Sequence, residues 1–219
     1  MVDVADSEKV QLVFDNVSIT NESGAAVYVR QADKVFLTLA DGSENTVVSN
    51  GTTTEDDSNI DGAIFAKGDL TINGTGTLNV TSAAHGIVCK DDLAVTGGTY
   101  NISAEKQGLS GKDSVRIADG TFDITTGGDA IHSENEDDET KGFVYVANGS
   151  FTLSADGDGI SASYAVQLDD GTITISQCYE GLEGQTIDIS GGVINITASD
   201  DGLNAAGGND SSNSNGPGG

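Results

Sequence analysis

The sequence predicts an all-β fold, a single-stranded right-handed parallel β-helix with about 22 residues and three short strands per coil, on three observations. The first is a repeat. An aliphatic residue following a small one opens each copy, at Ile64, Ile87, Leu109, Ile131, Ile160, Leu182 and Leu203, and a glycine closes a later turn, at Gly76, Gly98, Gly120, Gly149, Gly171 and Gly192. The steps in the glycine column are 22, 22, 29, 22 and 21 residues, and a fixed period of this size marks a solenoid. The second is alternation within each copy. In HGIVCKDDLAVTGGTYNISAEK, His85 to Lys106, the pairs Ile87 and Cys89, Leu93 and Val95, and Tyr100 and Ile102 share one side, with polar residues between them. That is strand periodicity three times per unit, with corners of turn-tolerant residues at KDD, TGG and AEK. The third is composition. Thirty glycines, a single proline (Pro217) and 5% aromatic residues in 219 suit many strands and tight turns and argue against a helical bundle. The general rule for parallel crossovers makes the hand right.

In chain order, residues 1–60 read as irregular N-terminal coils. Val10 to Thr20 gives two strands at an Asp15-Asn16 corner, Val27 opens a coil, Val35 and Leu37 lie on a further strand, and a polar stretch from Ser49 to Asn59 interrupts, its Thr52 to Asn59 reading as a solvated loop. Residues 61–206 are the regular coils, continuous with 1–60 as one domain. Their core columns run Leu70, Leu93, Val115, Val144, Val166, Ile187 on the second strand and Leu78, Tyr100, Phe122, Phe151, Ile173, Ile194 on the third. Tyr100, Phe122 and Phe151, at inward parity, form an internal aromatic ladder. About seven extra residues follow Ile131, in HSENEDDETKGF; insertions in solenoids map to loops on one face, so this is either a binding element or a charged solvated loop. Residues 207–219 read as a flexible Gly/Ser/Asn tail or linker.

The formal charge of −26, from 35 acids against 9 bases, calls for cations or cationic partners at the surface. It argues against nucleic acid, which needs clustered Lys and Arg, and no apolar run reaches the roughly 20 residues of a membrane-spanning helix. Cys89 and Cys178 lie about three coils apart, roughly 14 Å at the strand spacing, too far for a disulfide. They are expected as free thiols.

Two columns carry the chemistry. Two residues before the opening aliphatic stand His85, Gln107, Asp129, Asp158, Glu180 and Asp201, with Asp156, Asp200 and Glu183 close by. Carboxylates stacked about 5 Å apart repel one another, and a divalent cation resolves the conflict. Oxygen ligands alone suit calcium, which makes Asp129, Asp156, Asp158, Glu180, Glu183, Asp200 and Asp201 candidate ligands. The competing reading is an acidic turn column kept for solubility and against edge pairing. Three residues after the aliphatic stand Lys67, Lys90 and Lys112. They either grip the carboxylates of an acidic polysaccharide or pair with Asp69, Asp91, Asp92 and Asp113 beside them. Lys106 and Lys141 are the bases nearest the acidic column. The outward Thr, Asn and Ser of the third strand form a flat hydroxyl and amide array, which strand propensity alone explains. Neither His85 nor His132 has a Ser or Cys partner for a nucleophilic triad.

The units KGDLTINGTGTLNVT and KDDLAVTGGTYNISA, together with GDGISAS, resemble the secreted bacterial β-helical carbohydrate-binding domain that binds cellulose and acid sugars and is similar in fold and calcium sites to calcium-dependent pectate lyases. The resemblance runs from Val10 to Ala206. It implies calcium held by Asp129, Asp156, Asp158, Glu180, Asp200 and Asp201, polygalacturonate-like ligands, and a secreted or cell-surface setting. The expectation is therefore a non-catalytic, calcium-dependent binder of plant cell-wall polysaccharide (acidic glycan, pectin or cellulose), with Lys67, Lys90, Lys112 and Lys141 assisting. The alternatives are a calcium-dependent pectate-type polysaccharide lyase and a structural adhesin or fibre subunit stiffened by calcium, with end-to-end self-association.

Overall fold

In a computed structural model, which describes residues 1–51 and 60–205, the chain is a parallel β-helix, all-β and without a helix among the described residues. Among the described residues twenty-five strands form three parallel sheets of nine, eight and eight strands, and within each sheet every strand pairs with the one three elements away in sequence. The first sheet carries the coil-opening strands Gly62–Ala66, His85–Cys89, Leu109–Gly111, Ile131–Ser133, Ile160–Ala162, Leu182–Glu183 and Leu203–Asn204, preceded by Val2–Asp3 and Val27–Gln31. The N-terminal segment joins the same ladders: Lys9 pairs with Lys34, Ser18 with Thr46 and Val27 with Ile64. Its Asp15-Asn16 corner separates Lys9–Phe14 from Ser18–Asn21, with Asn16 in the left-handed region at φ 57°, a conformation Asn tolerates. Both the loop read over Thr52 to Asn59 and the 207–219 tail lie outside the described residues.

The core fills the space between the three sheets, because alternation sends every second side chain inward. Each column read from the sequence is a ladder of paired residues, as in Leu70, Leu93, Val115, Val144, Val166 and Ile187. Tyr100, Phe122 and Phe151 stack inside it with ring centroids 4.8 and 4.7 Å apart and planes within 7°, and the Tyr100 hydroxyl donates to the Gly97 carbonyl at 2.7 Å. In the middle of the glycine column these rings explain the residue type. A Cβ on Gly120 would lie 2.8 Å from the Phe122 ring and one on Gly149 2.9 Å from the Phe151 ring, and both glycines have positive φ. Cys89 and Cys178 are free and buried.

Candidate functional site

Residues that alternate with the core strands of the first sheet face outward and make one continuous surface. Its central row, one residue after the opening aliphatic, runs Tyr28, Phe65, Val88, Ser110, His132, Ser161, Glu183, Asn204. It is flanked on one side by the His85–Gln107–Asp129–Asp158–Glu180 column and on the other by the lysine column. The row changes character along the helix axis. Phe65 and Val88 pack with Ile60 in a small apolar cluster outside the main core. The middle coils line a cleft of about 200 Å³ that includes His85, Lys90, Gln107, Lys112, His132 and Glu134. Beyond it the surface turns acidic.

There Asp158, Glu180 and Glu183, all buried, bring carboxylate oxygens within 4.8 Å of one another. Each is oriented by a neighbour in the ladder. Asp158 accepts the Glu180 backbone N–H at 3.0 Å, Glu183 the Ser161 hydroxyl at 2.8 Å, and Glu180 the Asn204 side-chain amide at 2.7 Å. Burial, then the Asp129 charge, then the contact with Glu183, push the Asp158 carboxyl up to about 8. Buried carboxylates this close are relieved only by protons or by a cation, and an all-oxygen set of this charge fits a hard metal ion. The cluster can therefore hold a metal.

Asp129 stands next to the triad but is differently occupied. One oxygen accepts the Asp158 backbone N–H at 2.9 Å and the other meets His132 Nδ1 at 2.9 Å. Gly157 allows this approach, since a Cβ there would sit 2.4 Å from Asp129 Oδ1. Burial alone would raise the Asp129 carboxyl, but the His132 hydrogen bond and charge, with the backbone donor, hold it below the usual carboxylate range. His132 reaches Glu134 through Nε2 at 3.5 Å. Burial opposes its charge, yet the two carboxylates outweigh it and push the imidazole up to about 9. The two carboxylates thus favour the imidazolium at neutral pH, the form in which His132 is not a base. Burial pushes the Cys89 thiol up to about 12, which removes it as a nucleophile. Asp156 is exposed and bonded to Gln177 at 2.8 Å, and Asp200 and Asp201 are exposed on the last coil, so these three lie outside the triad.

The lysines resolve the choice left by the sequence. Lys67, Lys90 and Lys112 are exposed and make no ion pair among the described residues. Three of the four neighbouring aspartates are taken elsewhere: Asp69 by Lys34 at 3.4 Å, Asp92 by Arg116 at 2.6 Å and Asp113 by Lys141 at 2.6 Å. Asp91 rests against Asp113, and burial together with that contact pushes it up to about 6. Lys141 is therefore an anchor for the inserted segment, aided by Asn135 bonding Asp113 at 2.7 Å. Lys106 pairs with Asp61 at 3.6 Å. Sequence reasoning missed His132, Ser161 and Asn204 as parts of the site. The outward parity of the row, one residue past each opening aliphatic, was the signal that placed them together.

A family model described as carbohydrate-binding domain-containing protein matches residues 1–216. A carbohydrate-binding domain-containing protein of Acetivibrio thermocellus is 36% identical over 103 residues, 45% of this chain and 36% of its own length, so the match spans about a third of that relative. A solved structure of a polysaccharide lyase-like protein from C. thermocellum, a gadolinium derivative, superposes with a TM-score of 0.76 at 32% identity, covering 93% of this chain and 81% of that one.

Proposed function

We propose, for a chain that belongs to the carbohydrate-binding domain-containing protein family, a non-catalytic role in binding polysaccharide on the outer face of the first sheet, with acidic glycans of the polygalacturonate kind preferred over neutral ones such as cellulose. The observation that carries this reading is the column of Lys67, Lys90 and Lys112, without an ion pair among the described residues, in a protein of charge −26. Cations left without an ion pair among the described residues of so acidic a chain form a site for an anion brought from outside. Asp158, Glu180 and Glu183 would hold calcium, which supplies positive charge on the same face for neighbouring acid sugars. A secreted or cell-surface setting belongs to this reading.

The polysaccharide lyase-like neighbour favours a second reading, a lyase. Such an enzyme needs a base beside the metal to remove the proton next to a uronate carboxyl. Lys106 and Lys141 are committed to Asp61 and Asp113, and His132 is held as a cation, so the site as built favours binding. Pull-down on polygalacturonate separates the two. Retention that falls with chelator and with Lys67, Lys90 and Lys112 replaced together by alanine, without release of unsaturated uronides, supports binding. Steady accumulation of unsaturated uronides would replace it with lyase activity. Retention unchanged by the lysine replacements sinks the acidic-glycan preference.

A further inference from the structure

We propose that the cleft between the His85–Gln107 column and the Lys90–Lys112 column is a metal-independent subsite for one uronic acid residue, whose carboxylate is held by Lys90 and Lys112 and whose ring hydroxyls meet Gln107 and His85. This rests on the acidic-glycan reading and goes beyond it by naming the pocket, the sugar's orientation and the residue that ends the site.

Four observations carry it. Lys90 and Lys112 follow the paired residues Cys89 and Gly111 and bond through their backbone N–H groups to Ala66 and Cys89 on the preceding coils. They therefore stand in one column on adjacent coils, about 4.8 Å apart at the backbone, a spacing that lets two ammonium groups share one carboxylate. Neither has a carboxylate partner among the described residues, and the Lys90 ammonium sits 5.7 Å from the centroid of the Phe65 ring, which leans it along the groove. On the opposite wall His85 pairs with Asp61 through Nε2 at 3.2 Å, which fixes the imidazole where it lines the cleft beside Gln107. Finally, the volume of about 200 Å³ lies below the roughly 300–1,000 Å³ of drug-sized sites, so it accepts a single ring.

Glu134 sets where the subsite stops. It occupies the position that Lys67, Lys90 and Lys112 hold on the earlier coils, and it belongs to the inserted segment. Its carboxylate closes the groove toward the acidic triad, so a second uronate cannot seat one coil further on without meeting like charge. The stacked columns run along the helix axis, and so a glycan anchored here extends along that axis toward Lys67.

The test uses the full chain in excess EDTA at low ionic strength, with amide NMR shifts read during titration by D-galacturonate and, separately, by D-galactose. D-galacturonate is expected to shift the Lys90, Gln107 and Lys112 amides in a saturable way and D-galactose to leave them unmoved. Lys90→Ala and Lys112→Ala should each weaken the interaction at least fivefold, Glu134→Gln should strengthen it severalfold, and the distant charge control Lys9→Ala should leave it as it is. Raising salt should weaken binding of the wild type. Equal responses to both sugars, shifts confined to other surfaces, or a Lys90→Ala variant no weaker than Lys9→Ala would overturn the subsite. Should polygalacturonate still be retained while D-galacturonate fails to shift these amides, the subsite falls and polysaccharide binding stands. Failure of both polymer and monomer removes the two together.

Discussion

Replacing Asp158 by Asn makes the buried triad a quantitative problem. The residue is 2% exposed, and its carboxyl is pushed from 3.8 up to about 8. A carboxyl whose pKa is raised by folding binds more protons in the native than in the unfolded state between these limits, so stability falls as pH rises from about 4 to 8 and is level above. At about 1.4 kcal/mol per pH unit, that span amounts to on the order of 5 kcal/mol for the metal-free protein. Asn keeps the shape and an oxygen to accept the Glu180 N–H, and it removes the charge. Metal-free Asp158→Asn is therefore expected to be more stable than wild type at pH 8, by a few kcal/mol, and equal to it near pH 4. Calcium should reverse the ranking. At 100 times its dissociation constant a native-state ligand adds about 2.7 kcal/mol, and the variant, short of one ligand charge, should gain little of this. Urea unfolding at pH 5 and 8, with calcium and with EDTA, reads all four corners. A metal-free variant less stable than wild type at pH 8 would mean that the carboxylate is a structural anchor and that the triad is not held in electrostatic tension. Calcium stabilising both proteins equally would place the ion elsewhere.

Two further outcomes follow from the same geometry. His132, raised by folding from 6.5 to about 9, contributes stability that is present below pH 6.5 and lost as pH rises through about 9. Its imidazole resonance should titrate near 9, and a midpoint near 6.5 would dissolve the Asp129–His132–Glu134 relay. Gly120→Ala should cost about 3 kcal/mol, from positive φ and from crowding the Phe122 ring, whereas Gly42→Ala, also at positive φ but with open space around it, should cost about 1 kcal/mol. Chemical denaturation of the two variants with similar losses would show that ring packing does not explain the glycine at 120.

The fold was legible because a solenoid turns sequence offset directly into position. Once the period is known, residues at one offset stack, which is why the Leu70 column, the aromatic ladder and the lysine column follow from the sequence alone. The metal candidates were legible only as a column, because a column fixes which coils meet but not which side chains are already engaged. Asp129 and Asp158 share an offset, and a donor decides their fates: His132 sits one residue beyond the opening aliphatic of the Asp129 coil and neutralises that carboxylate, while the matching position beside Asp158 is Ser161, which carries no charge and is spent on Glu183. The acidity of the triad thus depends on the row next to the acids, where His132, Ser161, Glu183 and Asn204 alternate outward. Asp201 occupies the acidic offset too, yet among the described residues no further coil stacks on Leu203–Asn204, and its carboxylate stays exposed. An acid at this offset becomes a site residue only where a following coil covers it and the neighbouring row withholds a counter-charge, and among the described residues both conditions meet at Asp158 and Glu180.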